Sequence, residues 1–436
     1  MKWKFKKNIT KSLAILLAIS LVSSCDVSNK IKGQTDEYDK SINLVAANHP
    51  WFEAVKPLIP DFESKTGIKV IIQSYPEDYL TAKLTVPLTG EWDTPDVFMY
   101  RPLQEGKFLV KNGWLESLEE YVTSDSSYDF NDFSKSAVGT ATINNKLVGI
   151  PLITEQEILY YRKDLLEKAG VSVPRTINEL QAAVQKLHNP SNGIYGFVAR
   201  GQRSALVTQV SSFIYSNGGN FTKEDKATIN TNEAVEAFNT YSSLLKNYSP
   251  SEAEKWSWPQ AMSFFTDGKA AFYTDASSLY KNVVYATNSE VSKNIGYALF
   301  PAGKAGSKPY NVTQWVLGMN TYSKHKKEVW EFIKWATSKD IVLKTQQKGN
   351  SGARNSVWNK EEGTSRFPAE LVSVIKESSK VGVGHDRPVV VSVGEARDVV
   401  GSIVEAAIQG KNVKLEADKA NEQLQKIIDK DKEKLK

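Results

Sequence analysis

Along most of the chain, apolar segments of strand length alternate with stretches of helical periodicity. Residues 42–47 predict a buried strand, and Val55, Leu58, Ile59 and Phe62 then share one face of a helix that Gly67 can end in a left-handed cap. A second β-rich run at 68–73, a helix over 77–88 and a third strand at 96–100 continue the alternation, which implies parallel βαβ units and an α/β fold. Pro57 and Pro60 interrupt the first helical pattern. Each removes a backbone donor and crowds the preceding turn, so a kink or a late start is expected there.

Further on, residues 158–161 read as a strand that runs into a helix over 163–169, stopped by Gly170. Thr176 and Glu179 have the spacing of a capping box, opening a helix with Leu180, Val184 and Leu187 on one face. Helices over 232–245, 259–265 and 327–337 follow, with strands at 270–274 and 295–300 between them, and the C-terminal region is mostly helical by pattern. Residues 429–436 read as a solvated, charged helix end. No repeat of the period that marks a solenoid occurs.

The N-terminus departs from this pattern. Lys2, Lys4, Lys6, Lys7 and Lys11 precede an apolar run over 13–22, the layout of a secretory signal spanning residues 1–24. That run is about half the roughly twenty residues a membrane-spanning helix needs. Leu21-Val22-Ser23-Ser24-Cys25 resembles the bacterial lipobox. The resemblance implies that Cys25 is diacylated, that the signal is cut before it, and that the mature protein is lipid-anchored on the outer leaflet of the cell membrane. Two acyl chains give stable anchoring where one gives marginal binding. Residues 25–40 are polar and suit a flexible tether.

Composition changes the picture in three ways. The whole chain has 55 basic and 50 acidic side chains, but the signal holds five of the lysines and no acid, so the mature chain is balanced. A balanced chain lacks the concentrated basic face that nucleic acid requires. Cys25 is the only cysteine, which leaves the mature domain without a disulfide, a thiolate metal site or a cysteine nucleophile. A mature length of roughly four hundred residues suggests two domains or lobes.

Candidate chemistry is sparse. His49, His188, His325 and His385 are scattered without ligand spacing, so no metal site is expected. Gly382 and Gly384 start a dinucleotide fingerprint, but Arg387 stands where its third glycine belongs. Neither a nucleophile elbow nor a phosphate-binding loop is present, and no catalytic residue or cofactor is predicted.

Several blocks occur in a telling order. They are FESKTGIKV at 62–70, TPDVF at 94–98, YYRKDLLEKAG at 160–170, FTDGKAAF at 265–272, FIKWATS at 332–338 and GAR at 352–354. Together they resemble the bacterial family 1 extracellular solute-binding proteins, the receptors of carbohydrate ABC importers. The resemblance implies a two-lobed, periplasmic-binding-protein-like α/β fold of type II that closes on a ligand by a hinge. It places one lobe at 41–151 plus 272–316 and the other at 152–271 plus 317–436. The crossings fall near 149–154, 270–274 and 316–320. It also implies a carbohydrate ligand, ABC permease partners, a monomer and no enzymatic activity.

Sugar recognition needs flat aromatic faces for C–H surfaces and polar groups for hydroxyls. Trp51 follows the first strand, Trp256 and Trp258 precede a helix, and Trp315 lies at the third crossing, whereas Trp330 and Trp335 suit a helix core. Among polar candidates, Asp96, Tyr100 and Arg101 end the third strand, Glu155 and Gln156 follow the first crossing, and Asp275 follows the second. Arg354 either reaches the cleft or pins the fold. Capping and salt bridging are the competing role for each polar residue. Two rival functions stay open: a secreted glycoside hydrolase, which needs a pair of carboxylates about 5–10 Å apart, and a receptor for a non-sugar solute.

Overall fold

The computed structural model describes residues 40–284 and 289–433. The predicted signal, Cys25 and nearly all of the tether lie outside the described residues, as do the last three residues of the charged tail.

The main sheet is built from eight strands. These are β1 (Lys40–Ala47), β2 (Ile68–Tyr75), β3 (Val97–Tyr100), β4 (Ile150–Arg162), β5 (Tyr195–Val198), β6 (Ala270–Ala276), β7 (Ile295–Leu299) and β8 (Asn311–Met319). Their order is β2-β1-β3-β8-β4-β6-β5, with β7 pairing on β4 as well. The first three run parallel, from Lys40 opposite Ile68 to Ala47 opposite Tyr75, with Leu44 opposite Val97. Parallel pairing needs crossover connections, and the helices between these strands supply them.

Between the strands, the first helical stretch shows what its prolines do. It is an α-helix over Pro50–Val55, a tighter 3₁₀ turn over Lys56–Leu58 and a second α-helix over Ile59–Thr66. The missing donors of Pro57 and Pro60 are absorbed at the starts of the second and third pieces, where no intrahelical bond is lost. Gly67 then ends the stretch at φ 68°, a conformation costly for any residue with a Cβ. The capping box is formed: Glu179 N donates to Thr176 Oγ1 at 3.1 Å, and Thr176 N donates to Glu179 Oε2 at 3.2 Å.

Two long strands join the halves of the molecule. The first half of β4 pairs antiparallel with β8, and its second half pairs with β6 and β7. The far end of β8 pairs with β3. Buried apolar side chains follow this division. One core runs from Ile42 to Ile153 and again from Trp315 to Ala353. Two others lie between Ile158 and Phe300 and again between Trp358 and Ile428. Alternate residues of β4 feed them, Leu159 and Tyr161 one and Ile158 and Tyr160 the other, so they cover opposite faces of the sheet.

The predicted lobe boundaries therefore need correction. The first crossing falls within β4 between Ile153 and Ile158, close to the expected site. No crossing occurs near 270–274, because β6 pairs only with β5 and the second half of β4. Residues 272–284 and 291–300 pack with the second lobe rather than the first, and residues 317–353 with the first rather than the second. The chain does cross along β8, a few residues before the expected 316–320, and crosses again between Ala353 and Trp358. Strand periodicity marks a buried strand but carries no record of its neighbours, and the assignment turned on which strand β4 meets.

Candidate functional site

A cavity of about 330 Å³ opens where β4 and β8 pass from one core to the other. The first lobe supplies Glu77, Arg101 and Gln104, the crossing strands supply Glu155 and Thr313, and the second lobe supplies Arg200, Trp258, Arg387 and Arg397.

Arg101 leaves the end of β3 and turns onto a single π-helical turn at Pro102–Gly106. Its backbone N–H donates to Glu105 Oε2 at 2.8 Å and its Nε to Glu105 Oε1 at 2.9 Å, while its two terminal nitrogens pair with Glu77 and Glu105. The guanidinium stands 5.6 Å from the ring centroid of Trp315. Trp315 itself sits where the β4–β8 register shifts, and a bulge of this kind re-aims a side chain.

On the facing wall, Asp275 at the end of β6 is completely buried. It holds Arg200 through two hydrogen bonds and also accepts from Gln209 Nε2 at 3.0 Å and Tyr273 OH at 2.8 Å. Arg387 binds Asp386 in the same bidentate way, at 2.6 Å for each bond, and its Nη1 donates across the cavity to Gln104 Oε1 at 3.0 Å. Burial acts to raise the Asp386 carboxyl, but Arg387, helped by Arg397 and the Thr208 hydroxyl, outweighs it and holds the pKa at about 2. Glu155 behaves oppositely. Burial, with Asp386 and Asp275 nearby, pushes it up to about 7 against the Ser278 hydroxyl and Arg200.

Trp258 begins the helix Trp258–Thr266, which Ser257 and Gln260 open with a second capping box; it is 37% exposed and lines the cavity. The cavity thus offers one accessible aromatic face, a carboxyl that changes charge near neutrality, and several guanidinium donors. Such a set can grip a small polyhydroxylated molecule from several sides.

Of the eleven sequence-predicted ligand residues, Arg101, Glu155 and Trp258 line this cavity. Asp275 and Trp315 stand one layer behind, against Arg200 and Arg101. Gln156 is buried and joins Asn311 and Ser277 between the crossing strands.

The other five lie elsewhere. Trp51 is buried in the first core. Asp96 is consumed by Asn43 and Ser323, and Tyr100 donates its hydroxyl to the Val148 carbonyl at 2.9 Å. Trp256 packs on Phe264 with ring centroids 5.1 Å apart. Arg354 is buried, donating to the carbonyls of Tyr128, Asp129 and Thr337, with its guanidinium 4.2 Å from the Phe133 centroid. It pins the first lobe to itself. Strand ends identify where a loop begins, but whether a side chain turns to the cleft or the core depends on packing.

Arg200, Arg387, Arg397 and Glu77 were missed by sequence reasoning. A signal existed: arginine is scarce, and four of the nine arginines line this one cavity.

Residues 46–342 match the model of the family described as bacterial extracellular solute-binding protein. The chain belongs to that family. An erythritol/L-threitol-binding protein from Mycolicibacterium smegmatis is 26% identical to this solute-binding protein over 374 residues, 78% of this chain and 76% of that protein. The structure of an ABC transporter solute-binding protein from Agrobacterium radiobacter K84 in complex with ribitol matches with a TM-score of 0.75 at 26% identity, covering 89% of this chain and 99% of that one. A maltose-bound protein from T. maritima matches with a TM-score of 0.71 at 26% identity, covering 88% and 98%. These likenesses bear out the two-lobed, periplasmic-binding-protein-like fold. Among the described residues, no helix of this solute-binding protein is long and apolar enough to cross a membrane.

Proposed function

We propose that this solute-binding protein is the lipid-anchored receptor of an ABC importer, capturing a sugar or polyol between its lobes and presenting it to the permease. The observation that carries this reading is the interlobe cavity, in which Trp258 faces guanidinium and carboxyl groups contributed by both lobes. Relatives and structural neighbours whose names or bound ligands are erythritol, ribitol and maltose support the same class of ligand. The lobe built on the first core and the lobe built on the other two close on the ligand, and β4 and β8 are the hinge strands. A lipid on Cys25 keeps the receptor beside its permease.

Calorimetric titration of the chain with C4–C6 polyols, aldoses and maltose tests the reading. Saturable binding with one ligand per chain and no change in the ligand is expected, and catalytic release of product would replace it with a glycoside hydrolase. Trp258→Ala should weaken that binding by about tenfold or more, since it deletes the accessible stacking face, and leave the melting temperature nearly unchanged. Unaltered affinity would move the site elsewhere.

A further inference from the structure

The second-lobe wall of the cavity carries three guanidinium groups with unequal support. Arg200 is backed by buried Asp275, and Arg387 by buried Asp386. Arg397, on the helix Val393–Ile408, lines the same cavity without such a partner. Its Nε donates to the Ser204 carbonyl at 2.8 Å and its Nη2 to Thr208 Oγ1 at 3.3 Å, and no carboxylate pairs with it among the described residues. Asp386 favours the Arg397 cation from nearby, but no ion pair or hydrogen bond joins the two among the described residues. It already takes two bonds from Arg387 and a third from the Thr208 hydroxyl at 2.9 Å.

A guanidinium has five N–H donors, and two of these five are used here. Arginine does not lose its proton under ordinary conditions, so an unpaired one partly withdrawn from water is relieved by an anion rather than by neutralising itself. Burial, and then the neighbouring charge of Arg387, disfavour its cation more than Asp386 and Asp398 favour it. Across the cavity Arg101 has no such surplus, since Glu105 and Glu77 both pair with it.

Resting on the carbohydrate-receptor reading, we propose that the ligand is an acidic carbohydrate, a sugar or polyol bearing a single carboxylate that pairs with Arg397. One unpaired guanidinium matches one negative charge, and its planar fork matches a carboxylate. The hydroxyls of the ligand then face Glu155, Arg200 and Arg101, and its C–H surface faces Trp258.

The test is calorimetric titration of the full-length chain with pairs that differ in one group, at matched ionic strength. The pairs are gluconate and glucitol, galactonate and galactitol, glucuronate and glucose, and galacturonate and galactose, with glucose 6-phosphate as a dianionic arm. In at least one pair the acid is expected to bind about tenfold more tightly than its neutral partner, as a charge-assisted contact should. Arg397→Gln should bring that ratio close to one while Arg397→Lys keeps a preference for the acid, with both variants melting like the parent.

Neutral partners that bind as well as or better than the acids in every pair overturn this inference and leave the carbohydrate receptor standing. Tighter binding of the phosphate overturns the single-charge match. Equal loss of acid and neutral binding in Arg397→Gln makes Arg397 a general hydrogen-bond donor and also overturns it. If no compound of either kind binds, the carbohydrate reading falls as well.

Discussion

Asp386 shows how single residues set up this cavity. It is buried, yet its carboxyl is held at about 2, below an ordinary value of 3.8, because Arg387 grips both oxygens. A depressed carboxylate pKa stabilises the fold fully above its unfolded value, and that contribution disappears as pH falls from about 4 toward 2. Its size is on the order of 2 kcal/mol. Asp386→Asn should cost about 3–5 kcal/mol at pH 7, since it leaves Arg387 buried and unpaired. It should also flatten the acid limb of stability between pH 4 and 2. Urea unfolding at a series of pH values reads both effects. Glu155 belongs to the same group of charges with the opposite sign: burial raises it from 4.5 to about 7, so stability is lost as pH rises from the first value toward the second. At this level the sequence named Glu155 and Arg101 from their positions after strands. It passed over Arg200, Arg387 and Arg397, since Arg200 lies on a segment far along the chain from the other two and meets them only in the fold.

Helices and strands were more legible. The capping box at Thr176 and Glu179 is a local arrangement of four residues, and it forms as its spacing implies. Thr176→Ala should cost about 1 kcal/mol, seen as a lower urea midpoint, with ligand affinity unchanged because the helix lies away from the cavity. The proline-broken first helix was also foreseeable, because proline's effect on the preceding turn is steric and local. Strand existence is readable for β1, β2, β3, β6 and β7 from their apolar runs. The full span of β4, thirteen residues from Ile150 to Arg162, was read only over its last part. Thr154, Glu155, Gln156 and Glu157 interrupt the apolar pattern there; Glu155 lines the cavity, while the buried Gln156 and Glu157 bond to Asn311, Ser277 and Thr274.

For the whole molecule, the clearest prediction concerns attachment. Cys25→Ser should shift the protein from the membrane fraction to the soluble fraction and abolish incorporation of labelled fatty acid, with ligand affinity retained. Retention on the membrane would point to another anchor. The lobe plan expected from resemblance holds in outline, but the crossing at 270–274 has no counterpart and the one between Ala353 and Trp358 is not foreseen. Residues 272–284, 291–300 and 317–353 exchange lobes relative to expectation. The exchange follows from one pairing choice, β8 antiparallel to the first half of β4 and to β3. Features governed by neighbours within a few residues, such as caps, turns, helix faces and the signal-like leader, can be read along the chain because their energetics are local. Pairing of β4 with β8, and the gathering of four arginines around one cavity, depend on contacts between segments more than a hundred residues apart. A side chain's partner at that range is chosen by how the whole core packs, and that choice assigned Trp51 and Arg354 to the interior and Trp258 and Arg397 to the cleft.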